Sequence, residues 1–194
     1  MKVLEYALFF AERLSRVAAW AGGALLLLSA GLISVEVVLR KAFALSIGGA
    51  DELSSYALAI GSSWAFAYAL FRKAHVRVDV LYTRLPLQVR AALDVVSLAL
   101  LSTITYLLAR HGYEVFNTSL QRQATANTPL QTPLWIPQGL WFTGLVWFAL
   151  ATALLFVRTA WALARGHWKT VQHLAGTSTL EQELTELSRP GSDR

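Results

Sequence analysis

Four long stretches without a charged side chain decide what this chain can become: Val17 to Val35, Leu53 to Phe71, Val95 to Ala109 and Leu134 to Val157. The hydrocarbon core of a bilayer is ~30 Å thick and an α-helix rises ~1.5 Å per residue, so ~20 apolar residues cross it. The third stretch is the shortest, but Asp94 can lie at the interface and let that helix begin near Arg90. The fourth opens on Trp135, Trp141 and Phe142 and is followed by Trp161 and Trp168, the aromatic residues that both membrane interfaces favour. The expectation is an all-α integral membrane protein with four transmembrane helices at about 17–39, 52–72, 90–109 and 134–157, forming a domain over residues 17–160.

Orientation follows from the basic residues, because those near the ends of spans stay on the cytoplasmic side. Thirteen of the 17 lysines and arginines fall in the N-terminus, the loop after the second span and the C-terminus, and only Arg40, Lys41, Arg110 and Arg122 fall on the other side. Both termini are therefore expected in the cytoplasm, and the net charge of +5 reflects orientation in a membrane rather than nucleic-acid binding. A cleaved signal peptide fits poorly, since the first apolar run is too long and Glu5 and Glu12 interrupt the basic region before it. The absence of cysteine rules out disulfides, thiolate metal sites and thiol catalysis.

Residues 1–16 place Val3, Ala7, Phe10, Leu14 and Val17 at helical spacing, the pattern of an amphipathic helix lying along the membrane surface or, equally, of an extension of the first span. Gly48-Gly49 marks the first connection, and Asp51-Glu52 opens the second helix, where acids complement the helix dipole. The segment from His111 to Pro133 is expected as a long, irregular external connection, holding at most a short interfacial helix. In the tail, residues 161–194, Ser178 and Glu181 make a capping box ahead of Leu180, Leu184 and Leu187, which predicts a short cytoplasmic C-terminal helix ended by Pro190.

Ionisable groups inside a membrane are the natural functional candidates, and almost none here are central. Glu36 lies near the end of the first span, at the i, i+4 spacing that pairs it with Arg40. That position argues against a small four-helix proton-coupled exporter, which wants a carboxylate in mid-span. The four histidines lie in loops or at helix ends, where they cannot face each other across a haem, and His75 with Asp79 lacks the further ligands that a catalytic metal requires. No phosphate loop, nucleophile elbow or metalloprotease motif is present. The expectation is no catalytic site, no cofactor and no metal.

The middle of the chain is more distinctive. Arg40-Lys41-Ala42-Phe43 closes the first helix, Asp51-Glu52 opens the second, Gly61 lies within it, and His75-Val76-Arg77-Val78-Asp79 follows it. This ordered set, over roughly residues 15–160, resembles the small membrane subunit, the DctQ-type small permease, of tripartite ATP-independent periplasmic (TRAP) transporters. Two departures stand out: Lys73-Ala74 where the family often has a glycine pair before the histidine, and a long third loop carrying Thr132-Pro133 and Ile136-Pro137.

The resemblance implies a multi-pass protein of the bacterial inner membrane. In such systems a periplasmic solute-binding protein delivers a solute, usually an organic acid anion, to a large multi-span subunit that imports it by symport, generally with sodium. The small subunit is implied to be a scaffold for the large one, with no transport site of its own. Arg40, Asp51, Glu52, Gly61, His75, Arg77 and Asp79 are then expected in structural networks or subunit contacts. Small residues at Ala18, Ala19, Gly22 and Gly23, and at Ala57, Gly61 and Ala65, suit close helix packing. The competing reading is a stand-alone four-helix exporter.

Overall fold

The computed structural model describes residues 2–73, 82 and 85–176. Five helices are described over their full extent: α1 (Lys2–Phe43), α2 (Ala50–Phe71), α3 (Leu87–Gln121), α4 (Trp135–Ala164) and α5 (Trp168–Ala175). Among the described residues there is no β-strand, only an isolated antiparallel bridge between Thr125 and Pro133. Among the described residues three helices are long and apolar enough to cross a membrane by length and composition: α1 from Leu4, α3 and α4.

Local chemistry sets where each helix stops. Arg40 and Lys41 in the last turn of α1 complement its dipole, and the backbone turns away at Ala44, whose φ of 51° is left-handed. Pro86 stands immediately before α3, where its missing N–H costs nothing. Pro137 is tolerated in α4 for the same reason, lying in the first turn. Gly166, with φ 73°, ends α4: its N–H reaches the Leu163 carbonyl at 2.9 Å, and that of His167 reaches Ala162 at 2.9 Å, the paired bonds of a Schellman motif.

The helices stand side by side in the order α1, α2, α4, α3, with α5 laid across α3 and α4. The main core lies between α2, α3 and α4, where Ala67, Leu70, Leu98, Phe148, Ala151 and Leu155 meet, and Ala175 of α5 joins them. α1 contributes only a narrow seam, buried at Ala11, Ser15, Gly22 and Glu36, while Phe9, Phe10, Leu27 and Leu28 face outward and Trp20 is 78% exposed. A helix apolar on every side yet packed on one is suited to a lipid surround.

Two features differ from the sequence expectations: the extent of α3 and the helix at Trp168–Ala175. Residues 2–16 are the first turns of α1, continuous with the rest and packed beside α4. α3 continues to Gln121, so the first half of the expected irregular connection from His111 is helix. His111 sits in it, bonded through Nδ1 to Glu114 at 3.1 Å. The helix at Trp168–Ala175 was not expected; the one expected from the Ser178 capping box lies outside the described residues.

Candidate functional site

The polar side chains that hold the bundle collect at its two ends. At the end bearing the 44–49 and 122–134 loops, Glu36 is buried and fully engaged. One carboxylate oxygen accepts from Arg40 Nη2 at 2.6 Å and from Ser46 Oγ at 2.7 Å; the other accepts from the Ile47 N–H at 2.7 Å. The charge therefore orders the turn that returns the chain to α2, and Gly48 and Gly49 complete it with φ of 66° and 146°, values that suit glycine.

Glu52 lies a few residues further, in the first turn of α2, and is also buried. Its carboxylate accepts from Tyr56 Oη at 2.8 Å on its own helix and from the Thr128 hydroxyl, 76 positions along the chain. Thr132 offers it both a hydroxyl and a backbone N–H. The 122–134 loop brings these donors in because it is folded on itself: the Ala126 N–H bonds Thr132 O at 2.9 Å, Leu134 N–H bonds Ala124 O at 2.9 Å, and Gln131 N–H closes the tip on Thr128 O at 3.1 Å. Leu130 covers Gly49 so closely that a methyl group there would fall inside its side chain.

At the opposite end, where α1 starts and α4 finishes, Arg158 is buried and its Nη2 lies 3.1 Å from Glu5 Oε1. About three turns along, Trp147 Nε1 donates to Ser15 Oγ at 3.0 Å, so the first part of α1 runs antiparallel to the second half of α4. Tyr82 Oη donates to the buried Asp94 carboxylate at 2.7 Å, and Arg90 lies over the Tyr82 ring. Between the two ends the contacts are small and neutral. Gly22 and Gly61 bring the α1 and α2 backbones together, and the Thr105 and Thr152 hydroxyls of α3 and α4 bond at 2.9 Å.

Of the residues singled out from sequence, Arg40 and Glu52 therefore lie at the same end of the bundle in neighbouring networks, with Asp51 exposed beside Glu52. Gly61 lies apart from them, at the helix crossing. His75, Arg77 and Asp79 lie outside the described residues. Sequence reasoning missed Thr128, Leu130, Ser46 and Ser15, none of which carries a charge or a motif; the Glu36 to Arg40 spacing, the Gly48-Gly49 pair and the acids opening α2 were the readable signals at the Thr128 end. The arrangement offers hydrogen-bonded fastenings rather than an assembled nucleophile, base or ligand set.

Residues 29–162 match the family described as "Tripartite ATP-independent periplasmic transporters, DctQ component". No curated protein and no solved structure gives a significant match.

Proposed function

The chain belongs to the DctQ component family of tripartite ATP-independent periplasmic transporters, a transporter component and not an enzyme, and from that premise we propose that it is the scaffold of a solute importer. In this reading four helices, α1 to α4, cross the bacterial inner membrane, both termini are cytoplasmic, and the 44–49 and 122–134 loops face the periplasm. A large multi-span subunit moves the solute, an organic acid anion, by sodium symport after a periplasmic binding protein delivers it. This chain holds the stationary part of that subunit in place. Arg40, Glu52 and Gly61 keep the scaffold in shape, and Asp51, His75, Arg77 and Asp79 serve structural networks or contacts to neighbouring subunits.

The observation that carries the scaffold reading is the placement of the buried ionisable groups. Glu36, Glu52, Asp94 and Arg158 all lie close to an end of their helices, each engaged by a named partner, while the described middle of the bundle is closed by glycine, alanine and threonine contacts. An ion or anion pathway needs polar groups along its length, and burying them without partners is costly. Gentle purification of the tagged chain from its native membrane tests the reading. A many-span partner recovered in near-equal amount supports it; recovery of the chain alone, with solute transport on reconstitution, establishes the exporter reading instead.

A further inference from the structure

The two helix pairs of the bundle, α1 with α2 and α3 with α4, follow one another in the chain and each closes through its own loop. Nothing in that connectivity requires the loop of the second pair to touch the first. It does so nonetheless, at the start of α2, through one buried carboxylate and one leucine. We infer that the 122–134 loop is a strap that fastens the second helix pair onto the first, with Glu52 as its anchor and Leu130 as its apolar cover.

Three independent features support this. Among the described residues Glu52 has no cation among its bonded partners; its donors are the Tyr56 and Thr128 hydroxyls and Thr132, so most of what satisfies a buried charge comes from the strap itself. The strap is preformed by its own cross-loop hydrogen bonds, so it can come off or go on as a unit. Its landing place is preformed too, because Glu36 holds the Ser46 and Ile47 end of the turn on which Leu130 rests at Gly49. A rigid tip on a rigid seat, joined by one carboxylate, is a fastening with two states: with the carboxylate removed, hydrogen bonds inside the strap remain but those that hold it down do not. The helices need not move for it to open.

Hydrogen exchange on the full chain in detergent micelles, read by mass over residues 124–134, tests the strap. Ala126, Gln131 and Leu134, bonded within the strap, should keep the parent's exchange, and the reporting amide is that of Thr132, which the Glu52 carboxylate holds. A hydrogen bond to a charged group carries a strong enough preference that Glu52→Ala should speed exchange there about tenfold, and Thr128→Val, which keeps the shape and loses one donor, about threefold. Exchange in the middle of α3 and α4 should stay as in the parent. Unchanged exchange at Thr132 in both variants overturns the inference. So does an increase shared equally by α2, α3 and α4, since Glu52 would then support the whole bundle rather than the strap. Should Glu52→Ala fail to fold, Thr128→Val alone decides, by the same criterion.

Discussion

Where α1 crosses α2 the backbones meet directly: a β-carbon added at Gly22 would stand 2.9 Å from the Gly61 carbonyl oxygen. Where α3 meets α4 the contact is made by side chains, with Leu98, Phe148 and Leu155 in one core cluster, a buried Thr105 to Thr152 hydrogen bond, and Phe116 stacked on Phe142 at 6.0 Å. Lipid tails are as apolar as leucine, so burying leucine between helices gains little in a membrane. The first pair therefore relies on closeness that only glycine permits, and the second on shape and one shared hydrogen. The first should be brittle and the second tolerant.

Substitutions can break that contrast or sharpen it. The largest effect is expected from Gly61→Leu, because the obstruction is the backbone of α1, which has no rotamer to change. A loss of about 3 kcal/mol is expected, read as earlier unfolding in a detergent titration, and an unaffected variant would show that the crossing is not tight. Glu36→Ala comes next, since it strips the charged acceptor from Ser46, Ile47 and Arg40 together. About 2 kcal/mol is expected, with increased proteolysis in the 44–49 turn as the local signature. Thr152→Val probes the second pair and should cost only ~0.6–1 kcal/mol, the usual worth of a hydrogen bond between membrane helices. Smallest of all, Trp147→Phe loses the bond to Ser15 but keeps most of the ring's packing, at about 0.5 kcal/mol. If the threonine variant proved more damaging than the glycine one, the assignment of a brittle and a tolerant pair would be reversed.

The contrast was half legible in the sequence. Gly22 and Gly61 stand among small residues in apolar runs, which is a packing signal by composition alone. The bond from Glu36 to Arg40 followed from a four-residue spacing on one helix. What could not be read is whatever depends on two distant segments meeting: Thr128 on Glu52, Trp147 on Ser15 and Arg158 on Glu5 are neutral or ordinary residues until the fold brings them together. The length of α3 was concealed differently. His111, Glu114 and Asn117 make its last turns look like a loop, yet Gly112, Phe116 and Ser119 keep the helical spacing of the buried face, and that was the available signal. For α5, Gly166 ahead of Trp168, Val171 and Ala175 was a readable stop and restart, weakened by the brevity of the helix.

The length of α1 has a consequence for how the protein sits in its solvent. At ~1.5 Å per residue its 42 residues extend ~63 Å, about twice the thickness of a hydrocarbon core. Even a strong tilt cannot submerge it, so part of the rod stands in the headgroups and beyond. Glu12, Arg13 and Arg16 form a hydrophilic collar on it, with Arg40 and Lys41 near the other end, and the distance between these marks acts as a fixed gauge. A bilayer thinner than the gauge is met by leaning, a thicker one by standing upright, each at a fraction of a kcal/mol per ångström of mismatch. Because α1 is matched to α4 at Glu5 and at Ser15, the rest of the bundle leans with it, and membrane thickness becomes a variable that the whole protein registers.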